Sequence, residues 1–283
     1  MKRIAILGPG LIGGSLALRL RRLGGSHVTL WARRAEAVAQ VLASGCADEA
    51  TADLSAAVKD ADLVVLCVPV GAMAVLAAAM LPAMRPDCVV TDVGSVKGAV
   101  LAELRSLLRG RGRFVGSHPM AGSENTGLAA AREDLFERAT CIVTPEPETD
   151  AAALAEVIAF WERIGCRVLE LPAAEHDECV ALVSHLPHLL AAALIATVAE
   201  RNPHAFGVVG PGFRDSTRVA GGPPAMWREI LRENSAAILP AIDALIAKLA
   251  AFRQTLGLPG DGREVLEFLA AARAARERIS FPK

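Results

Sequence analysis

A glycine-rich turn near the N-terminus, GPGLIGG at residues 8–14, constrains the fold of this chain more than any other feature. It follows a short apolar run at residues 2–7 and precedes a helical pattern at residues 16–23. In a strand–turn–helix unit of this kind, the first glycine permits a tight turn, the second lets a pyrophosphate approach the backbone, and the third lets the helix pack on the strand. The turn therefore predicts a dinucleotide site against the N-terminus of the helix, formed by Gly8, Gly10, Leu11, Ile12 and Gly13.

Further apolar runs extend this unit into a larger α/β domain. Strands are predicted at residues 28–31, 62–68, 88–92, 113–116 and 140–144, with helical patterns mostly between them. A helix at residues 149–164 and a strand at 167–171 complete the series. Such alternation is typical of a Rossmann-type, doubly wound parallel sheet, and it predicts a first domain over residues 1–171.

The pattern from residue 172 onward is almost wholly helical. Helices are predicted at residues 175–200, 225–232, 234–256 and 263–279, and a glycine-rich stretch lies at 207–222. These helices are dense in alanine and leucine, and a small helical layer alone would leave part of that apolar surface exposed. We therefore expect an all-helical second domain, residues 172–283, that pairs with a second copy in a homodimer.

Charge and cysteine content exclude several classes of protein. A net charge of -1 and a pI near 6.6 leave no basic surface for nucleic acid. The six cysteines show no Cys-x-x-Cys spacing, which predicts reduced thiols in the cytoplasm and neither disulfides nor a zinc site. The N-terminal residues enter an apolar strand at once, so no signal peptide is expected.

One uncharged run, residues 63–84, is long enough to suggest a membrane span. It is interrupted by Pro69, Gly71 and Pro82 and is rich in alanine. We therefore expect a buried strand, a turn and a helix there, and no contact with a membrane.

The end of the second predicted strand bears on the choice of cofactor. In NAD-binding units an acidic residue about 20 positions past the glycines holds the ribose 2′-hydroxyl. Here the sequence reads Ala32-Arg33-Arg34, which lacks that acid and offers two guanidinium groups to a 2′-phosphate. We therefore expect NADP to be preferred over NAD. The alternative is that both arginines simply begin an exposed helix.

A histidine lies in the turn expected after the fifth strand, within GSHPMAGSE at residues 116–124. Histidine can take and release a proton near neutral pH, as an oxidation of a carbinol requires. Because ligands of doubly wound sheets bind outside the carboxyl ends of the strands, His118 could meet Ser95, which follows the fourth strand. The alternatives are that His118 only fills a turn and that Ser95 caps a helix over residues 96–108.

Polar residues in the helical half are further candidates. His185 and His188, three positions apart in SHLPH, have a spacing compatible with a metal. No carboxylate or cysteine constellation completes such a site, so we expect no metal and interpret His188 as facing the substrate. Arg214 and Arg218 lie in GFRDSTR, and arginine suits bidentate carboxylate binding, although both could also be ordinary surface arginines.

Six motifs, in their order and spacing, resemble the prephenate/arogenate dehydrogenase family of tyrosine biosynthesis: GPGLIGG, DVGSVK, GSHPMAGSE, SHLPH, GFRDSTR and PPAMW. The resemblance spans about residues 1–260. It implies a Rossmann domain followed by an all-helical domain that forms the homodimer. It also implies oxidative decarboxylation of prephenate to 4-hydroxyphenylpyruvate, or of arogenate to tyrosine, with hydride transfer to NAD or NADP.

The resemblance further implies roles for individual residues. His118 corresponds to the catalytic histidine that hydrogen-bonds the ring hydroxyl, and Ser95 to a serine that orients it near the nicotinamide. The remaining correspondences are with substrate-site residues: His188, Arg218 as the carboxylate-binding arginine, Trp227, and the acidic pair Glu124 and Asp215, with the aspartate supplied by the partner subunit. Ala32 departs from the pattern, because NAD-using members carry an acid there.

Two other functions are open on the sequence alone. A β-hydroxyacid dehydrogenase also joins a Rossmann domain to helices, but it uses a lysine in the helical domain, where this chain has only Lys248 and Lys283. A non-catalytic dinucleotide-sensing protein would keep the glycine turn and need neither His118 nor Arg218. The sequence does not choose between prephenate and arogenate.

Overall fold

A single sheet of eight strands organises the N-terminal part of the computed structural model, which describes residues 2–108, 113–259 and 261–279. The strand order across the sheet is β3-β2-β1-β4-β5-β6-β7-β8. The strands are β1 Lys2–Leu7, β2 Ser26–Trp31, β3 Glu49–Thr51, β4 Leu63–Leu66, β5 Val89–Asp92, β6 Arg113–Pro119, β7 Thr140–Thr144 and β8 Arg167–Glu170.

The sheet is parallel from β3 across to β6, and β7 then runs antiparallel to β6. Parallel pairing needs a crossover, usually a helix, whereas residues 120–139 between β6 and β7 form only the short 3₁₀ turn Leu128–Ala130. The Rossmann-type fold is confirmed. The short strand β3 and the reversal at β7 are features that the sequence pattern did not predict.

Helices cover both faces of the sheet, and the core follows the alternation of the strands. These helices are α1 Leu11–Leu23, α2 Ala35–Ser44, α3 Leu54–Val58, α4 Val70–Met80, α5 Gly98–Leu108 and α6 Ala151–Ile164. Ile4 and Ile6 of β1 join the core formed with α1 and α6, while Ala5 and Leu7 join the core formed with α4 and α5. This period of two is expected of a strand that is buried on both faces.

The chain after β8 is helical, as predicted, but with interruptions. Its helices are α7 Ala173–Val180, α8 Leu186–Arg201, α9 Pro211–Thr217, α10 Pro224–Glu233, α11 Ser235–Leu256 and α12 Arg263–Glu277. The helix expected at residues 175–200 is divided by a π-helical turn at Ala181–His185. The glycine-rich stretch at residues 207–222 contains α9 and the 3₁₀ turn Arg218–Gly221.

Two local expectations differ from the structure near the candidate site. Strand β6 does not end at residue 116, because its second half pairs with β7 and continues to Pro119. His118 therefore lies in a strand and not in a turn. Helix α5 begins at Gly98, so Ser95 lies in the preceding connection and does not cap the helix.

Exposed apolar surface is concentrated on two helical stretches. Ala173–Arg201 and Ser235–Leu256 are long and apolar enough to cross a membrane by length and composition, yet only 28% and 11% of their apolar windows are buried. Their exposed side chains include Leu182, Val183, Leu190, Leu194, Leu239, Ile246, Leu249 and Leu256. Exposed apolar side chains in such number are typical of an interaction face. The run at residues 63–84, in contrast, forms β4, a turn and α4 as expected.

Candidate active site

The glycine turn is held by close backbone contacts. Gly8 has a φ of 120°, and a Cβ there would lie 2.3 Å from the carbonyl oxygen of Cys67. A Cβ at Gly13 would lie 2.0 Å from the carbonyl oxygen of Gly8. Both positions thus require glycine, because any side chain would displace β4 or α1 from the end of β1.

Gly10 differs from the other two glycines of the motif, since a Cβ there would meet no atom of the described residues within 4 Å. It is the N-cap residue of α1, which has no side-chain cap and no acidic residue in its first turn. Leu11 and Ile12 begin that helix. The backbone N–H groups and positive end of the helix dipole therefore face open space, an arrangement that fits a dinucleotide pyrophosphate.

Two arginines follow β2 at the same edge of the sheet. Ala32 is buried, and its N–H donates to the carbonyl of Thr51. Arg33 and Arg34 are exposed, and Arg34 occupies the N-cap position of α2. Neither guanidinium forms an ion pair or hydrogen bond with another residue of the described ranges. Both are therefore free to bind an anionic ligand.

His118 lies in the antiparallel half of β6, opposite Ile142 of β7, and is 8% exposed. Its Nδ1 atom is 2.8 Å from Nε2 of His176, and the two rings meet edge to face. The Nε2 atom of His118 has no partner within the described part of the chain and is not fully enclosed. One nitrogen is thus fixed by the protein, and the other is accessible to a substrate.

His176 is in turn held by Asp177. The Nδ1 atom of His176 is 2.8 Å from Oδ1 of Asp177, and this carboxylate also accepts the backbone N–H groups of Lys97 at 2.8 Å and Gly98 at 2.9 Å. Burial opposes ionisation of Asp177, but the hydrogen bonds from His176, Lys97 and Gly98 together hold its pKa below the usual value. The carboxylate therefore caps the N-terminus of α5 and connects it to α7.

A buried ion pair lies beneath this group. Lys97 and Asp92 are both 0% exposed and directly paired. The ammonium of Lys97 also donates to the carbonyl of Ser117 at 2.8 Å, and Asp92 accepts the N–H groups of Gly94 and Ser117. Because each charge has a partner and further hydrogen bonds, the pair fixes the ends of β5 and β6 against each other.

The surroundings keep His118 neutral. Burial lowers its pKa well below the usual value, and the neighbouring His176, Lys97 and His185 lower it further. A neutral imidazole retains a lone pair on one nitrogen and can accept a proton. His118 therefore has the protonation state of a general base near neutral pH.

The π-helical turn brings His185 onto the face of the helix that carries Asp177. Asp177 and His185 are eight positions apart, so in a regular α-helix their directions would differ by roughly 80° around the helix axis. The extra residue of a π-turn reduces this difference to about 20°. The amide nitrogen of Asn234 contacts residues before and within the π-turn. It donates to the backbone carbonyl of Asp177 at 2.9 Å and lies 3.1 Å from Nδ1 of His185. Burial lowers the pKa of His185 to about 4.

His188 and Trp227 form an aromatic platform. Their rings stack with centroids 3.5 Å apart and an angle of 11° between the ring planes. The ring of His185 packs against Trp227 in a T-shaped arrangement, with an interplanar angle of 85°. Gly222 permits this arrangement, because a Cβ there would lie 2.4 Å from Nε1 of Trp227. Burial also lowers the pKa of His188, so this histidine too is neutral near pH 7.

Arg218 pairs with Glu124 within the chain, at 2.7 Å. The backbone N–H of Glu124 itself and the Arg218 guanidinium hold the pKa of that carboxyl below its usual value. Asp215 is exposed on α9 and forms no ion pair with any described residue of its own chain. Ser95 is half-buried in the connection between β5 and α5, and no hydrogen bond joins it to the described residues.

The structure adds residues that the motifs did not identify: Asp92, Lys97, His176, Asp177 and Asn234. A sequence signal for two of them was present in α7, where the apolar Ala173 and Val180, seven positions apart, mark a helix face that also carries positions 176 and 177. This spacing of i, i+3, i+4 and i+7 is that of an apolar helix face. Polar residues on such a face need partners, so His176 and Asp177 could have been singled out.

Comparison with known proteins agrees with this arrangement. The model for the prephenate dehydrogenase nucleotide-binding domain matches residues 16–170, and the model for the prephenate dehydrogenase dimerization domain matches residues 172–270. A cyclohexadienyl dehydrogenase from Zymomonas mobilis is 40% identical over 281 residues, covering 97% of this chain and 95% of that protein.

Solved structures give the same result. Prephenate dehydrogenase from Aquifex aeolicus, in complex with hydroxyphenyl propionate and NAD+, has a TM-score of 0.90 at 33% identity, with 99% of each chain covered. Arogenate dehydrogenase from Synechocystis has a TM-score of 0.81 at 31% identity, covering 98% of this chain and 99% of that one. With its two domain models matched in order and relatives aligned over nearly its whole length, the chain belongs to the prephenate dehydrogenase family.

Proposed function

We propose that this chain catalyses the oxidative decarboxylation of prephenate or arogenate, a step of tyrosine biosynthesis, with transfer of hydride to a nicotinamide dinucleotide. The observation that carries the proposal is the neutral His118, whose free Nε2 atom lies at the same edge of the sheet as the open helix N-terminus at Gly10. Family membership supports both the reaction and the small-molecule substrate.

The chemistry follows from the position of that nitrogen. Nicotinamide dinucleotide, when bound, supplies the hydride acceptor. His118 Nε2 accepts the proton of the ring hydroxyl as the carbinol carbon is oxidised, and the ring carboxylate leaves as carbon dioxide. Aromatisation of the ring drives the step, so the main task of the protein is to position the reacting groups.

Residues of the helical part are proposed to hold the rest of the substrate. Arg218 is more than half exposed and uses one nitrogen for Glu124, which leaves further guanidinium N–H groups for a substrate carboxylate. His188 and Trp227 present a flat, largely apolar surface beside it. Asp215, which has no ion-pair partner in the described part of its own chain, is proposed to reach the site of the partner subunit.

The cofactor proposed is NADP in preference to NAD. Ala32 removes the acid that would repel a 2′-phosphate, and the exposed Arg33 and Arg34 supply attraction. The Aquifex aeolicus relative was solved with NAD+, so direct comparison of the two cofactors is the relevant test. Ser95 is proposed to contact both the nicotinamide and the substrate, which would lie next to each other.

We also propose a homodimer with a division of labour between residues 1–171, which bind the cofactor, and residues 172–283, which pair the subunits. The exposed apolar faces of α8 and α11 support this arrangement, because a second copy would cover them. All six cysteines are free thiols, which is consistent with the reducing cytoplasm.

A matrix of two substrates and two cofactors tests the proposal. Purified protein is mixed with prephenate or arogenate and with NAD or NADP, and the absorbance of the reduced cofactor is followed. Turnover is expected with at least one substrate and to be faster with NADP. A 3-hydroxy acid is the control for a β-hydroxyacid dehydrogenase. That enzyme would need a catalytic lysine, and the described helical part of this chain contains only the exposed Lys248. Lys283 lies outside the described residues.

Cofactor binding without turnover of either substrate would instead identify a dinucleotide-sensing protein. Binding is measured separately by the quenching of tryptophan fluorescence or by calorimetry. Such a result would contradict the proposed catalytic function and leave the dinucleotide site intact.

A further inference from the structure

The hydrogen bonds around His118 determine which of its nitrogens carries a proton. Asp177 is ionised and can only accept hydrogen bonds, so the proton between it and His176 belongs to Nδ1 of His176. A neutral His176 then offers a lone pair at Nε2. The proton in the 2.8 Å contact between the two histidines therefore belongs to Nδ1 of His118, which leaves its Nε2 as the acceptor.

We infer that His176 and Asp177 are positioning residues that fix His118 in the tautomer with its basic lone pair on the accessible Nε2 atom. The inference rests on the proposed function, and it assigns work to two residues outside the sequence motifs. An orienting carboxylate performs this task for a catalytic histidine in serine hydrolases. Here a second histidine stands between the carboxylate and the base.

The same chain of contacts from Asp177 through His176 to His118, the histidine relay, also stabilises the product of proton transfer. When Nε2 of His118 accepts the hydroxyl proton, the ring becomes an imidazolium that donates from Nδ1 to His176. His176 can pass its own Nδ1 proton toward Asp177 or share the charge through the hydrogen bond. The positive charge is thereby placed two hydrogen bonds from a buried carboxylate, and no proton is gained from or lost to solvent.

Asp177 is suited to this role because its position does not depend on His176. The backbone N–H groups of Lys97 and Gly98 hold its two oxygens, and Asn234 donates to its carbonyl. Replacing His176 therefore leaves a capped α5 and a bonded carboxylate. A variant at His176 isolates the effect on His118 more cleanly than a variant at Asp177.

Other charged and titratable groups face His118 and set the background against which a pH effect is read. They come from the β5–α5 connection, the π-turn and β7, and they are Lys97 with its partner Asp92, His185 and Cys141. A change at His176 leaves these groups in place, but it removes a neighbour that lowers the pKa of His185 as well as that of His118. The titration of His118 is therefore compared with that of His185 in the same His176 variant.

The first test is independent of turnover. Protein labelled with 15N-histidine is studied by long-range 1H–15N NMR near pH 7.5, where tautomers give distinct patterns, and the His118 signals are assigned by their loss in His118→Asn. We expect His118 to be protonated on Nδ1 in the wild type and to lose this preference in His176→Phe. A wild-type His118 protonated on Nε2 would overturn the inference.

The second test is kinetic and uses a conservative variant. His176→Phe is expected to lower kcat by about 10²- to 10⁴-fold, the range measured for losing an orienting group or a base, with little change in KM. His176→Gln retains an acceptor for His118 and a donor for Asp177, so it should recover about 10-fold of the loss. Glu178→Gln, an exposed neighbour on α7, is the control and should retain wild-type activity.

The pH profile separates this role from a merely structural one. Without His176, His118 loses both its hydrogen bond at Nδ1 and a neighbour that lowers its pKa, so the acidic limb of kcat/KM should move while kcat falls. An unmoved limb, or a His176→Phe enzyme with near wild-type kcat, contradicts the inference. If wild-type protein turns over neither substrate but His118 is protonated on Nδ1, the proposed function fails and the relay stands.

Discussion

The glycine turn and the histidine relay lie at the same edge of the sheet, yet they are built in opposite ways. The turn is a continuous stretch, and its function depends on backbone contacts such as that between Gly13 and Gly8. The relay joins His118 to His176, 58 positions later, and Asp177 to the N–H group of Lys97, 80 positions away. The first site needs only its own segment and the neighbouring strands, since Gly8 packs on Cys67 and donates to the carbonyl of Trp31. The second site requires the sheet and the helical part to meet.

This difference has a consequence for how each region fails. Damage to the turn should weaken cofactor binding or local packing without changing proton transfer. Damage to the relay should change proton transfer without changing cofactor binding. Substitutions in the two regions should therefore have distinct effects on binding, catalysis and stability.

The largest effect is expected for His118→Asn. Asparagine preserves a side chain of similar polarity but cannot accept the hydroxyl proton, so kcat should fall by about 10²- to 10⁴-fold. Cofactor affinity, measured by calorimetry, should be nearly unchanged because the glycine turn is untouched. A variant with near wild-type kcat would show that another group is the base.

The relay side of the molecule should also give stability a pH dependence. His185 has a pKa of about 4 when folded, against a usual value of 6.5, so the unfolded chain binds the proton more readily in this window. Neutral His185 thereby contributes at most about 3 kcal/mol to the free energy of unfolding. This contribution is fully present above pH 6.5 and is lost as the pH falls toward 4. His118 adds to the same slope, since its pKa is lowered too.

Urea unfolding between pH 7.5 and 4.5 checks this expectation. His185→Gln should reduce the slope of unfolding free energy against pH, because the variant no longer titrates in that window. Gly10→Ala, at the other region, should leave the slope unchanged. Equal slopes in wild type and His185→Gln would show that His185 titrates normally in the folded protein.

Two alanine substitutions divide the glycine turn into its structural and its binding parts. Gly8→Ala combines a positive φ with a Cβ 2.3 Å from a backbone oxygen, so the unfolding free energy should fall by about 2 kcal/mol or more. Gly10→Ala places its methyl group more than 4 Å from every described atom that could crowd it and should be as stable as the wild type. It should nevertheless weaken dinucleotide binding by about 10-fold or more, because the methyl group occupies the path of the pyrophosphate.

Thermal melts and cofactor titrations of both variants provide the measurement. Equal loss of stability in the two variants would mean that Gly10 is also a packing glycine. Unchanged affinity in Gly10→Ala would place the pyrophosphate elsewhere.

Sequence reasoning succeeded where interactions are local. The strand–turn–helix context of the glycine motif, the buried strands and the helical second half all follow from short-range patterns. His118 was identified from its motif, but its place in a strand was missed, because β6 is extended only by pairing with β7 from residues 140–144. The π-turn was missed for a similar reason, since contacts with Asn234 on a distant segment favour it.

The relay lay furthest from what local patterns can show. His176 and Asp177 belong to no glycine-rich or proline-containing motif. Their partners outside α7 are His118 in β6 and the backbone N–H groups at the start of α5. Only the spacing that places two polar residues on the same helix face as Ala173 and Val180 would have pointed to them. Assembled sites of this kind become visible when the fold brings distant segments together.

A smaller effect is expected for Arg218→Ala, which tests the substrate side of the assembled site. Loss of a charge-assisted contact to a substrate carboxylate should raise KM by about 10-fold or more, with a smaller change in kcat. Arg218→Lys should recover only part of the loss, since it lacks the planar fork. Arg214→Ala, on the same helical segment, is the control. If it raises KM more than Arg218→Ala does, the carboxylate is bound by Arg214.

The smallest effect is expected at the proposed 2′-phosphate site, where Arg33 and Arg34 are exposed to solvent. An exposed contact to a 2′-phosphate should contribute near the lower end of the range for charged hydrogen bonds, about 1.5 kcal/mol, which corresponds to about 10-fold in kcat/KM. The double variant Arg33→Ala with Arg34→Ala should therefore lose about this factor with NADP and almost nothing with NAD. Arg22→Ala changes an exposed arginine at the opposite end of α1 and controls for the general loss of positive charge.

A wild-type enzyme that favours NAD, or a double variant that loses activity equally with both cofactors, would mean that Arg33 and Arg34 do not bind the phosphate. The glycine turn would then set cofactor affinity without setting cofactor choice.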